Sequence, residues 1–237
     1  TARQLYDMGM AIVGIGRDPG KLAVLEGALD DPGRVVTLAV DIATDEAPGR
    51  IVELALERFG RIDFLINNAG LGSPKPLHET DDESLDLFLG VMLRAPFRLA
   101  RDVITHLQPG SAIINVTSTF AVVGGRRGGA YSAAKGGLTA LTLHMACEYG
   151  AQGIRSNCVA PGVTITDMVK HRLDDKAFRR MNTEMTPAPR LGTVEDVAST
   201  IAFLCSPGAE HINGQTIVVD GGWSTTKYLS PEVVNAD

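Results

Sequence analysis

Tyr131 and Lys135 stand four residues apart in a run of small residues, Ala130-Tyr-Ser-Ala-Ala-Lys-Gly-Gly137, and Ser118 lies thirteen positions upstream. On a helix, positions i and i+4 share one face about a turn apart. A lysine there can set its ammonium beneath the tyrosine ring. A neighbouring positive charge stabilises a phenolate, so the expectation is a Tyr131 pKa drawn down from its reference near ~10. A phenol tuned in that way acts as general acid or base towards an alcohol or carbonyl oxygen. Ser118 closes an apolar strand-like run, Ser111-Ala-Ile-Ile-Asn-Val-Thr117, where its hydroxyl can hydrogen-bond the same oxygen. A Tyr-x-x-x-Lys alone is most often an ordinary exposed helix pair. Here the strand serine, the connector Gly124-Gly-Arg-Arg-Gly-Gly129 and the small-residue helix come together and in order, which points to catalysis.

The elements that must position these residues alternate along the chain. Apolar strand-like runs at 10–16, 34–40, 62–66, 111–117, 154–159 and 215–219 are separated by helical stretches near 21–29, 46–59, 81–106 and around Tyr131. Short, continuous apolar strands between helices imply a parallel sheet covered on both faces, a doubly wound α/β fold of Rossmann type. There are no repeats or linkers, so residues 1–237 are read as one dinucleotide-binding and catalytic domain. In such sheets ligands sit beyond the carboxyl ends of the strands. Polar or glycine residues fall at those ends: Arg17, Asp41, Asn67-Asn-Ala-Gly70, Ser118 and Pro161-Gly162. Taken singly, Asp41 can equally cap a turn, and Asn-Asn-Ala-Gly can equally be one.

Composition narrows the possibilities. Hydrophobic residues make up 44% and charged residues 21%, as in ordinary globular proteins. A net charge of -6 lacks the basic footprint of a general nucleic-acid binder. No stretch approaches the ~20 apolar residues of a membrane span, and the polar start carries no secretory signal. A cytoplasmic setting is expected. Cys147, Cys158 and Cys205 lack metal-ligand spacing and are read as buried thiols of a reducing compartment, with no metal site.

With these residues assembled, the chain resembles the short-chain dehydrogenase/reductases, and among them the β-ketoacyl-carrier-protein reductases. The resemblance rests on Asp41, Asn67-Asn-Ala-Gly70, Ser118, Tyr131-x-x-x-Lys135, Pro161-Gly162 with Thr166, and the Asn213-Gly-Gln to Asp220-Gly-Gly222 ending. It implies that Tyr131 is the acid/base, that Ser118 polarises the substrate oxygen, and that Lys135 meets the nicotinamide ribose. It further implies that Asn67, Ala69 and Gly70 line the adenosine side and that Asp41 meets the adenine edge. Pro161, Gly162, Val163 and Thr166 would hold the carboxamide. The substrate would be a small ketone or alcohol, acyl types included, and the assembly a homo-oligomer, dimer or tetramer. A dehydrogenase-fold binding or regulatory protein with impaired catalysis is the alternative.

Cofactor choice follows from charge. A dehydrogenase using NAD(H) carries an acid after its second strand, where it bonds the ribose hydroxyls. Here that place is Gly16 followed by Arg17, whose planar fork can pair a 2′-phosphate, so NADP(H) is favoured over NAD(H).

Two departures from the family pattern stand out. The family opens with a strand and a Thr-Gly-x-x-x-Gly-x-Gly turn before the helix that begins here at Thr1; a further ~15–25 residues upstream are expected to supply them. Without that strand, the strands ending at Gly16 and Ile66 should lie about 9–10 Å apart, twice the ~4.8 Å pairing distance. The second departure is Met92, where the family has asparagine holding a helix distortion and a water on the proton path to the lysine. Methionine donates no hydrogen bond, so a weakened relay is expected. Residues 164–190 are read as the substrate lid, in which Met168, His171, Phe178, Met181 and Met185 suit either an apolar substrate or plain packing. Arg126, Arg127, Lys170 and Arg172 either steer a phosphate-bearing acyl carrier or form a solvated face.

Overall fold

A computed structural model describes residues 1–72 and 75–229; the side chains of Asp167 and Met168 lie outside that description. The chain runs α1 (Ala2–Asp7), β1 (Ile12–Gly16), α2 (Pro19–Leu29), β2 (Val35–Ala39), α3 (Ala47–Phe59) and β3 (Phe64–Asn67). It continues through α4 (Asp82–Leu89), α5 (Ala95–Ile104), β4 (Ala112–Val116), α6 (Gly129–Tyr149), β5 (Arg155–Pro161), α7 (Asp167–Lys170), α8 (Lys176–Arg179), α9 (Val194–Leu204) and β6 (Thr216–Val219). All six strand runs read from the sequence form strands, every pairing is parallel, and helices cover both faces. The reason is compositional. β4 and β5 bury nearly every residue, which only a sheet sandwiched between helices allows.

The sheet is parted along one line. β1 pairs only with β2, whereas β3, β4, β5 and β6 form a separate four-stranded ladder. The two pieces nevertheless belong to one layer. On one face Ile12 and Val35 share a cluster with Phe64, Ile66, Ile114, Leu5 of α1 and Ile201 of α9. On the other, Ile15 and Leu38 share a cluster with Leu65, Ile51 of α3 and Leu99 of α5. Side chains thus bridge the line on both faces while the backbone edges of β1 and β3 stay unpaired with each other. This is the place where the family pattern anticipated an intervening strand.

The 81–106 helical stretch is interrupted rather than continuous. A π turn, Gly90–Arg94, separates α4 from α5, and such turns often mark functional positions. It carries the fully buried Met92. The distortion therefore forms without an asparagine at that position. The small residues of α6 explain how the two come close: a Cβ at Gly137 would lie 2.9 Å from Leu93 Cδ2. One expectation about the thiols is corrected. Cys158 and Cys205 are buried, but Cys147 is exposed, because α6 turns Met145 and Ala146 inward and leaves the next position to solvent.

Candidate functional site

Ser118, Tyr131 and Lys135 meet at the carboxyl end of β4. Ser118 is buried, and its oxygen accepts from the Phe120 N–H at 3.2 Å, which fixes the side chain at the strand end. The Ser118 hydroxyl lies near enough to the Tyr131 phenol to stabilise its anion. Tyr131 packs edge-on against Phe88 of α4, ring centroids 6.4 Å apart. Lys135, one turn along α6, is only 3% exposed and donates from Nζ to the Val116 carbonyl at 2.7 Å.

The electrostatics differ from the sequence expectation. Burial pushes the Tyr131 phenol above its ordinary value, and the Ser118 hydroxyl offsets only part of that rise. Lys135 does not draw the phenol down here, because its ammonium turns to the end of β4 instead of the ring. Burial lowers Lys135 itself to about 8, with the Cys158 thiol working weakly against the fall. The pair thus holds a neutral phenol beside an ammonium close to losing its proton.

A buried polar chain supports the set from below. Asn67 Nδ2 donates to Asn115 Oδ1 at 2.8 Å, Asn115 Nδ2 to Thr142 Oγ1 at 2.8 Å, and Cys158 Sγ to the same Thr142 oxygen at 3.1 Å. It ties β3, β4, α6 and β5 together. The Asn67 amide is therefore engaged inside the sheet. Gly70 continues from β3 over the active helix: a Cβ there would lie 3.8 Å from Met92 Sδ and 3.9 Å from Lys135 Nζ. Ala69, beside it, is exposed.

The other predicted positions fall along the same strand ends. At the β1–β2 side Arg17 Nη1 lies 3.7 Å from Asp41 Oδ2, both side chains well exposed. Asp41 also caps its own turn, accepting from the Ala43 N–H at 3.0 Å. At β5, Gly162 is pressed against the next turn, since a Cβ would come 2.7 Å from Asp220 Cβ. Asp220 accepts from the N–H groups of Gly222 and Ser224, both at 2.8 Å, and so shapes the Gly-Gly turn. Val163 and Asp220 line a small cleft with Trp223, and Thr166 precedes α7.

Several residues beside Tyr131 have no motif in the sequence to announce them. Lys75, Thr80, Ser84 and Phe88 line a shallow cleft with Tyr131. Lys75 Nζ is held by Ser84 Oγ at 2.9 Å and Asp81 Oδ2 at 3.2 Å. Only the chain reversal between β3 and α4 brings them there.

A nicotinamide dinucleotide fits the residues present at both ends of this row. The buried Lys135 ammonium uses one of its three N–H groups on Val116, leaving donors suited to ribose hydroxyls. The Arg17–Asp41 pair offers a donor fork and a carboxylate at the opposite end.

Fold and site together define a parallel α/β oxidoreductase scaffold with a Ser–Tyr–Lys set at a strand end. The family model described as Enoyl-(Acyl carrier protein) reductase matches residues 1–224. A cis-4-hydroxycyclohexanecarboxylate dehydrogenase of Sinomonas cyclohexanicum is 35% identical over 228 residues, 94% of this chain and 90% of that protein. An uncharacterized short-chain type dehydrogenase/reductase of Sinorhizobium fredii is 36% identical over 194 residues; those are 78% of this chain and about a third, 34%, of that longer protein. Among solved structures, a gluconate 5-dehydrogenase from Burkholderia cenocepacia in complex with NADP and tartrate superposes with a TM-score of 0.87 at 31% identity, covering 95% of this chain and 89% of the other. The chain belongs to the short-chain dehydrogenase/reductase family, whose members are oxidoreductases using a nicotinamide cofactor. Among the described residues no helix is long and apolar enough to cross a membrane.

Proposed function

We propose that the chain is an NADP(H)-dependent oxidoreductase acting between a carbonyl and a secondary alcohol, one catalytic domain with residues 164–190 as its substrate lid. The observation that carries this reading is Ser118 at the end of β4 beside Tyr131, set one helical turn from the buried Lys135 ammonium. The cofactor supplies or accepts the hydride. Tyr131 delivers a proton to the substrate oxygen in reduction and takes it back in oxidation. Ser118 polarises that oxygen. The neutral phenol favoured by burial is the form that reduction needs, and the Lys135 N–H groups not used on Val116 serve the ribose hydroxyls. Arg17 meets the 2′-phosphate, Asp41 the adenine edge, Asn67, Ala69 and Gly70 the adenosine side, and Pro161, Gly162, Val163 and Thr166 the carboxamide.

The relatives' names support an alcohol or ketone on a small, often anionic, molecule, such as a hydroxycyclohexanecarboxylate or gluconate. A homo-oligomer in the cytoplasm completes the proposal; Phe97 and Leu143 expose about half their surface on α5 and α6, as subunit contacts would require. A binding or regulatory protein is the second reading, favoured by Met92.

The test is calorimetric titration with NADPH and NADH, followed by turnover with a broad ketone panel. NADPH binding near micromolar, much weaker NADH, and a 10²–10⁴-fold loss of turnover in Tyr131→Phe are expected, the size of a lost general acid. Binding of neither nucleotide would favour the second reading.

A further inference from the structure

Two adjacent arginines stand in the loop ahead of Tyr131 in a chain of net charge -6. Arg126 and Arg127 occupy the connector that joins Ser118 to Tyr131, five and four residues ahead of the tyrosine. Both are exposed, and neither has an ion pair or side-chain hydrogen bond among the described residues. Arg17, Arg34, Arg61, Arg98, Arg101 and Arg190 each lie on a carboxylate, while Arg50 and Arg179 share the unpaired state among the described residues. Two carboxylates of the adjoining segment, Glu79 and Asp81, are already engaged. Asp81 accepts from Lys75 and the Ser84 N–H, and Glu79 lies beside His78.

The connector is pinned on both sides. A Cβ at Gly125 would come 2.7 Å from the Phe120 ring, and one at Gly129 would come 3.0 Å from Leu77 Cδ1. The Gly128 N–H donates to the Lys75 carbonyl at 2.9 Å. Phe120 meets Trp223 edge-on at 6.2 Å, and the Trp223 indole donates to the Met181 carbonyl at 2.9 Å. The connector backbone is thus held between the Tyr131 cleft, which Gly128 lines, and Trp223. Arg127 also takes a left-handed backbone, φ 65°, which a glycine would adopt without strain. Strain kept at the rim of a site points to a side chain retained for what it binds.

We propose that Arg126 and Arg127 recognise a carboxylate on the substrate, so that the ketone or alcohol handled at Tyr131 is an anion. Two adjacent guanidinium forks match a carboxylate in the bidentate manner that an ammonium cannot. The proposal rests on the oxidoreductase reading and narrows its substrate class.

The chain has one tryptophan, Trp223, which touches this connector through Phe120, so its fluorescence reports on the site without any turnover. Three pairs of oxo acid and matching oxo amide, of increasing length and including 4-oxopentanoate with 4-oxopentanamide, are titrated into the protein. At least one acid should bind about tenfold or more tightly than its amide, the scale of one charge-assisted hydrogen bond. That ratio should fall towards one in Arg126→Gln/Arg127→Gln and shrink in 0.5 M salt. In turnover with NADPH the variant should raise KM for the acid and leave kcat unchanged. Arg127→Gly, which relaxes the backbone, should lose selectivity with no loss of thermal stability. Equal binding of every acid and amide, or a ratio that survives removal of both arginines, overturns the carboxylate site. Selective binding without turnover of any ketone leaves the site standing and removes the oxidoreductase reading.

Discussion

The two pieces of the sheet are held together in opposite ways. From β3 to β6 the backbone ladder is continuous, the strands are buried, and a polar chain from Asn67 through Asn115 and Thr142 to Cys158 stitches them to α6. At β1–β2 the ladder is two strands wide, and the residues at its carboxyl end, Arg17 and Asp41, are exposed and 3.7 Å apart. The half read as carrying the proton chemistry is tied by backbone and buried polar contacts, whereas across to the half read as facing the adenosine the described residues meet through side chains. Acid–base groups need placement to a fraction of an ångström, while a flexible guanidinium reaching a phosphate tolerates more. Changes on the two sides should therefore differ in size.

Asn115→Ala should give the largest loss. Asn115 is fully buried, and truncating it strands the Asn67 donor and one partner of Thr142. A buried group left unsatisfied costs ~1–3 kcal/mol, so a loss of about 3–4 kcal/mol is expected in urea unfolding. A loss below about 1 kcal/mol would mean that the polar chain is not what holds this half.

Lys135→Met should act in the opposite direction at neutral pH. The folded protein lowers the Lys135 pKa from 10.5 to about 8, so it binds this proton less readily than the unfolded chain. The resulting destabilisation is fully present below about 8 and is relieved as pH rises from 8 to 10.5. At pH 7 the methionine variant should be more stable by about 1–3 kcal/mol, since each unit is worth ~1.4 kcal/mol and the Val116 hydrogen bond is lost. Cys205, pushed up to about 12, and the raised Tyr131 titrate in the opposite sense, so the difference between the two proteins' pH profiles is the quantity to measure. A difference that stays flat across that window would mean that the ammonium carries no burial penalty. Turnover should vanish in the variant.

Met92→Asn probes the seam between the halves' chemistry. The methionine sulfur and the Lys135 ammonium both approach Gly70, so an amide placed there can join the proton path. Turnover should rise several-fold, against a stability loss of about 1–2 kcal/mol for burying an amide in an apolar cluster. An unchanged rate would mean that the π turn's backbone serves the relay unaided.

The contrast between the halves also governs what the sequence revealed. Strands were legible because β1 to β6 are apolar runs between turn residues, and Tyr131, Lys135 and Ser118 were legible because their spacing along one helix and one strand end is local. The parting of the sheet could be anticipated only from the family resemblance, whose pattern places a further strand between β1 and β3. The direction of the Tyr131 shift could not, because it depends on whether Lys135 turns to the ring or to Val116, a choice made by tertiary packing. Asn115 looks like an interruption of an apolar strand until Asn67 and Thr142 arrive on either side. Lys75 and Ser84 reach the Tyr131 cleft only through a chain reversal. Cys147 was misassigned because a thiol's burial depends on its helical face, not on its residue type.

Arg17→Asp should have the smallest effect on the fold and a large one on nucleotide choice. Arg17 is 66% exposed, and its pairing with Asp41 is worth ~0–1 kcal/mol at most, so stability should change by less than about 0.5 kcal/mol. The carboxylate would repel a 2′-phosphate and sit beside Asp41, while offering an acceptor to ribose hydroxyls. NADPH binding should weaken tenfold or more and NADH binding should hold or improve, as read by calorimetry. An unchanged preference would remove Arg17 from the site and leave the adenosine end without a reader of phosphate. A stability loss approaching that of Asn115→Ala would erase the contrast itself, because it would make the exposed pair as structural as the buried one.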